Sequence, residues 1–309
     1  MNLSEPILHH YDSSPFSEKV RTAFGIKGMA WRSVLIPNML PKPDYLPLTG
    51  GYRRTPSMQI GADVWCDSAG ILREIERLHP EPTLYPDDSR GLADALGFWS
   101  DRNFFMVAVQ LIFGTIGHSV SQAFIDDRAQ MSGTSFDVAR MRAAVPVMRE
   151  QFRAHLRFLD RTLADGRFFL GGERPGMLDL HPWHVVWFLR TVCPEEGALI
   201  DQFPAVEAWE RRMGQIGHGS RREMAPRDAL ALAAVETPRT LPEEDPLEPN
   251  GLCPGMKVEV APDDYGRDLV AGELLSSGPD EIAILRRDPE LGEIVVHFPR
   301  AGFVVLPRR

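Results

Sequence analysis

Ser14, Pro15, Phe16 and Ser17 lie between a short apolar run at 7–10 and a helix-forming stretch at 17–24. Amide groups at the start of a helix, together with its macrodipole, attract negative charge. A hydroxyl placed there can donate to a thiolate. Such surroundings lower a thiol pKa from about 8.5 into the range of roughly 3.5–7.5. The same four residues also read as a plain turn and cap. Thr55-Pro56 stands just before a short strand. A proline here suits a cis peptide that leaves the Thr55 backbone free to pair with an extended ligand, or a loop that simply enters a strand. Asp67-Ser68 ends a strand and opens a helix, so either residue can cap that helix. A carboxylate and a hydroxyl beside helix amides can also hold a zwitterionic amino-acid head. Together the three features fit a thiolate-stabilising turn and an amino-acid clamp, and each also fits an ordinary cap, turn or strand entry.

These residues need a β-α-β, long loop, β-β-α frame within about eighty residues, and the sequence supplies one. Strands are predicted at 7–10, 31–36, 58–60 and 64–66, and helices at 17–24 and 68–78, the latter stopping before a Pro/Asp stretch at 79–88. The segment 37–56 is rich in proline and reads as loop. Two long apolar stripes follow. One runs from Phe98 through Phe105, Val109, Ile112 and Ile116 to Val120; the other runs from Val138 to Leu163, with Pro146 expected to kink it. Further helices are predicted at 178–190, 203–213 and 222–235, giving a helical bundle. A proline- and acid-rich stretch at 237–249 reads as a linker. Five short alternating runs after it predict a small all-β module resembling an SH3-like barrel. The expected domains are 1–82, 88–236 and 250–309.

With 309 residues, two or three domains are expected. The balance of 34 Lys and Arg against 43 Asp and Glu gives a net charge of −9, which argues against nucleic acid and anionic membrane as partners. Cys66, Cys193 and Cys253 are far apart and form no CxxC, so neither a disulfide framework nor a zinc site is expected. The N-terminal residues lack a basic and apolar leader pattern, and no stretch has the length of a membrane span. His181 and His184 stand three apart on a predicted helix, but no acidic or thiol partner is near in sequence, so they read as structural and no metal is expected.

The order Ser14-Pro15-Phe16-Ser17-Glu18-Lys19-Val20-Arg21, then Thr55-Pro56, then Asp67-Ser68-Ala69-Gly70-Ile71-Leu72 resembles the N-terminal domain of cytosolic glutathione transferases of the serine and cysteine types. The stretch from Phe168 to Pro175, leading to Asp179, resembles the family's entry into a buried helix, with Gly176 at the capping position. The likeness covers about residues 5–215. It implies a thioredoxin-like domain followed by an all-α domain; the β module lies outside the family plan. It implies Ser14 as the activating hydroxyl, with Ser13 and Ser17 as rivals and Ser17 read as the cap. It implies glutathione held by Phe16, Thr55, a cis Pro56, Asp67 and Ser68, with Lys42, Arg53 or Arg54 toward its glycyl carboxylate. Phe104 and Phe105 are expected to wall a pocket for a small, largely apolar electrophile, and Asp101 and Arg102 either to line the same cleft or to be solvated. The resemblance also implies a cytosolic homodimer and a detoxifying transferase. Dehalogenation, ether cleavage, isomerisation, peroxide reduction, or a non-catalytic assembly role on the same scaffold are the alternatives.

Overall fold

Strand β1 (Ile7–His10) buries all four of its side chains, as a strand covered on both faces must. In the computed structural model, which describes residues 5–86 and 88–308, it pairs parallel with β2 (Ala30–Leu35) and antiparallel with β3 (Ser57–Ile60). Strand β4 (Asp63–Cys66) pairs antiparallel with β3. Helices α1 (Pro15–Lys27) and α3 (Ser68–Leu78) pack together, and a short helix α2 (Leu46–Thr49) interrupts the proline-rich loop. This is the expected thioredoxin-like arrangement. Helix α1 ends at Gly28, whose φ of 61° is the left-handed conformation glycine adopts without strain. Residues 1–4, which belong to the stretch read for a leader, lie outside the described residues, as do residue 87 of the expected linker and residue 309.

The helical region contains α4 (Arg90–Phe98), α5 (Phe105–Ile116), α6 (Gln122–Ser132), α7 (Val138–Leu163), α8 (Met177–Val192), α9 (Pro194–Gly197) and α10 (Pro204–Gln215). The stripe read as one helix from Phe98 to Val120 is divided: a π-helical turn, Trp99–Phe104, joins α4 to α5. Helix α6 was not expected. Helix α7 continues through Pro146. Leu8, Val20 and Phe24 of the first domain and Phe152, Trp183 and Trp209 of the second belong to one continuous apolar core. The two domains are therefore fixed to each other by burial, the dominant favourable term in folding. No helix among the described residues is long and apolar enough to cross a membrane.

Two expectations change after α10. The segment read as one helix at 222–235 of the bundle begins as a strand, β5 (Ser220–Glu223), which pairs parallel with β2. The helix that follows, α11 (Pro226–Val235), packs on the sheet through Ala229 and Ala233. The chain thus leaves the bundle and returns to the first domain.

The C-terminal module is all-β as expected: β6 (Lys257–Pro262), β7 (Val270–Ser277), β8 (Glu281–Asp288), β9 (Gly292–Pro299) and β10 (Phe303–Pro307). It is not a closed barrel. Strand β9 pairs parallel with β4, with Asp63 opposite Val295 and Trp65 opposite His297. All ten strands make one sheet in the order β10-β6-β7-β8-β9-β4-β3-β1-β2-β5. An open edge at β4 would leave a row of unpaired amides and carbonyls; the module covers it.

Candidate active site

At the C-terminal end of β1 the chain turns through Asp12 and Ser13 into α1. Ser14 is the helix cap: its Oγ accepts from the Ser17 N–H at 3.2 Å. The capping role expected of Ser17 therefore belongs to Ser14, and the Ser17 hydroxyl is buried with no hydrogen-bond partner. Ser13 is exposed, whereas Ser14 is 1% exposed. Phe16, in the first turn of α1, lines the cleft; Ser14, buried at the cap of the same helix, is not among the lining residues.

Thr55, Pro56, Asp67 and Ser68 all line the same cleft, and the Thr55-Pro56 peptide is cis. Asp67 sits at φ 74°, ψ 139°, a region few side-chain-bearing residues occupy. Its carboxylate caps α3 by accepting from the Ala69 N–H at 2.9 Å. Ser68 follows at the first position of the helix; its hydroxyl is buried and unpartnered. Both the capping and the lining functions read from this pair are thus compatible in one geometry.

Lys42 does not reach the cleft. It is buried and donates to the Arg53 carbonyl at 2.9 Å and to Thr55 Oγ1 at 3.1 Å, so it braces Thr55 from behind. Burial, with Arg128 and Arg53 nearby, lowers its pKa to about 8. Arg53 is also buried, paired with Asp127. Arg54 alone of these three bases lines the cleft. Phe104 is a core residue: it is fully buried between Trp99 and Phe152, so it cannot wall a substrate pocket. Phe105 is half-buried and meets Phe16 edge-on at 4.8 Å.

Asp101 and Arg102, expected either in the cleft or in solvent, line the cleft. The turn that places them, His181 as a lining residue, and the module loops were missed by sequence reasoning. The π-helical turn carries Asp101 and Arg102 into the cleft; such turns recur at functional sites. Burial pushes the Asp101 carboxyl up to about 6, against the pull of Lys19, whose Nζ lies 2.5 Å from it. His181 also lines the cleft, buried, with both ring nitrogens unpartnered, and burial holds its pKa well below the usual value. The Nδ1–H of its i+3 neighbour His184 donates to the His181 carbonyl, 2.6 Å away. Finally, the C-terminal module supplies Asp264, Tyr265 and residues 299–303 to the lining, excepting Arg300. The sequence signal for Asp101 was its place beside the apolar stripe; for the module loops there was none.

The profile of the Glutathione S-transferase, N-terminal domain matches residues 8–83, and that of the Glutathione S-transferase, C-terminal domain matches residues 136–212. Glutathione S-transferase U4 of Arabidopsis thaliana is 23% identical over 214 residues, covering 66% of this chain and 82% of its own length. A theta class glutathione S-transferase from Xanthomonas axonopodis pv. citri, solved with glutathione bound, shares the fold at 21% identity and TM-score 0.51, over 69% of this chain and 96% of its own. A GST-like protein from Pseudomonas syringae is 36% identical with TM-score 0.82, covering 99% of this chain and 100% of its own, so the appended module is common to both. On these matches and the fold, the chain belongs to the glutathione transferase superfamily.

Proposed function

We propose that this protein is a glutathione transferase that stabilises the glutathione thiolate for attack on small, largely apolar electrophiles. The observation that carries the reading is the single cleft running from Phe16, at the start of α1, past Thr55 and cis Pro56 to Asp67 and Ser68 at the start of α3. An extended tripeptide would lie with its sulfur toward α1, its cysteinyl backbone against Thr55, and its γ-glutamyl head at Asp67 and Ser68. Ser14 would turn its hydroxyl proton toward the sulfur while its oxygen keeps accepting from Ser17. Helix amides and this hydroxyl favour the charged thiol, and proximity does the rest. Phe105, packed on Phe16, and the exposed Met106 offer apolar surface to the electrophile. Cys66 and Cys193 are buried free thiols and Cys253 an exposed one, which supports work in a reducing cytosol. The family likeness extends the reading to a homodimer.

Calorimetry with millimolar glutathione tests the ligand. Turnover of a chlorinated aromatic acceptor tests the chemistry. Ser14→Ala is expected to lower kcat at least about a hundredfold while keeping most of the glutathione affinity. Full turnover in that variant would remove Ser14 from the mechanism, and absence of binding heat in the unmodified protein would remove glutathione.

A further inference from the structure

The appended module does more than protect a sheet edge. Its loop between β6 and β7, residues 263–269, and its turn between β9 and β10, residues 300–302, reach across the strand ends to the cleft. Three contacts hold the 263–269 loop, and a fourth reaches Asp280 of the β7–β8 turn, whose carbonyl also accepts from the Arg300 N–H at 2.9 Å. Asp264 pairs with Arg54, whose guanidinium also stacks 4.1 Å from the centre of the Tyr265 ring. Asp263 pairs with Arg102 of the π-helical turn at 2.5 Å. The Gly266 N–H donates to the Met131 carbonyl at 2.7 Å. Arg73 of α3 donates to the Asp280 carbonyl at 2.9 Å. The module is therefore fastened to the first domain and to the helical domain at once.

It closes one particular end of the cleft. Tyr265 and Gly302 line the same cleft as Ser68 and His181, both buried and both with unpartnered polar atoms. Asp67 and Asp101 add carboxylates beside them. The outer turn packs closely: a Cβ built on Gly302 would lie 3.1 Å from Arg102 Nη2 and 3.8 Å from Phe98. Unsatisfied donors and acceptors lining a cleft favour a small charged head that fills them all, and disfavour a larger neutral one that leaves some buried without partners.

We propose that the β module is the outer wall of the amino end of this cleft, and that Tyr265 makes the site selective for a tripeptide whose γ-glutamyl amino group is free. The inference rests on the glutathione reading above. Tyr265 is a positioning residue: it holds Arg54 in place and occupies the volume into which an N-acyl group would have to project.

The test is isothermal titration of the full chain with glutathione and with glutathione acetylated on its γ-glutamyl nitrogen. The readout is the ratio of the two dissociation constants, which a general loss of stability does not move. The unmodified protein is expected to prefer glutathione by about a hundredfold. Tyr265→Ala is expected to shrink that ratio at least about tenfold, and Tyr265→Phe, which keeps the ring, to preserve it. Should Tyr265→Ala not fold, Asp264→Asn, which releases Arg54 from the loop, is read by the same criterion. Equal affinity of the unmodified protein for both peptides overturns the proposal and leaves the glutathione reading intact. An unchanged ratio in the variant also overturns it. Absence of binding to either peptide overturns both.

Discussion

Asp67 and Ser68 are neighbours with separable functions. Asp67 holds a backbone conformation at φ 74° that costs roughly 1–3 kcal/mol for a residue with a side chain. It recovers part of this by capping α3 through Ala69. Its removal should therefore be felt in the fold as well as in the cleft: Asp67→Ala keeps the strained backbone and loses the cap, at about 1 kcal/mol. Ser68 has no such duty. It lines the cleft, and its hydroxyl is buried and bonds to no other group of the protein. Ser68→Ala should leave the unfolding free energy within about 0.5 kcal/mol in urea titration. It should weaken glutathione about tenfold, the worth of one hydrogen bond to a charged group. A clear loss of stability in Ser68→Ala, with affinity unchanged, would make the serine structural. The order of residue types announced a cap and a clamp here. It could not announce the positive φ, because Asp before a helix is ordinary and the strain comes from where β4 must end.

At the scale of elements, the entry to α8 shows how a weakened motif still fixes a domain. Gly176 has no side chain to give to the helix, so only half of the capping arrangement remains. Asp179 does the rest. Its carboxylate accepts from the Gly176 N–H at 3.1 Å, the Leu170 N–H at 2.7 Å and the Trp209 indole N–H at 2.8 Å. It thereby joins the preceding loop, α8 and α10 at a fully buried point. Asp179→Ala would leave three buried donors unmatched and should cost about 3–5 kcal/mol. Chemical denaturation would show it, with circular dichroism separating loss of α8 from general unfolding. Asp179 was legible from the Phe168–Pro175 pattern before it. The π-helical turn was not, because the apolar stripe of residues 98–120 steps by three and four straight through it, as an uninterrupted α-helix would. Strand β5 was not legible either: Ser220–Glu223 is mostly exposed and shows no alternation, and only the free edge of β2 makes it a strand. The loop at Asp263–Tyr265 consists of ordinary turn residues, so nothing local marks it as cleft wall. What sequence reads well is chemistry held by short contiguous patterns. What it misses is set by partners hundreds of positions away.

For the whole molecule, the join between old sheet and added module is ionic as well as hydrogen-bonded. His297 of β9 lies 2.9 Å from Glu281 and 3.4 Å from Asp63 of β4, and its ring stacks on Trp65 with centroids 4.5 Å apart. Asp63 also accepts from the Arg239 N–H and the Thr240 hydroxyl, which brings the connecting segment into the same cluster. Burial alone would lower the His297 pKa; its bonds to Asp63 and Glu281 outweigh that and raise it to about 9. A group bound more tightly to its proton in the folded state stabilises that state below its unfolded pKa of about 6.5. The contribution is full at and below that pH and is lost as pH rises through 9. Its size is on the order of 3 kcal/mol. His9 and His10 work in the opposite sense: burial lowers them to about 4 and about 3, so stability falls as pH drops from 6.5 toward those values. These neutral histidines of the first domain, with His181 and His184 of α8, therefore contribute to the acid limb of the stability curve, and His297 at the module junction to its alkaline limb. His297→Gln should reduce stability at pH 7. The gap between its unfolding free energy and that of the unmodified protein should then close as pH rises from 7 to 9.5. Other groups titrating in that window, Lys42 among them, contribute to both curves and cancel in the difference. A gap constant across that range would mean that His297 carries no extra proton, and that the module is held to the sheet by burial and strand pairing alone.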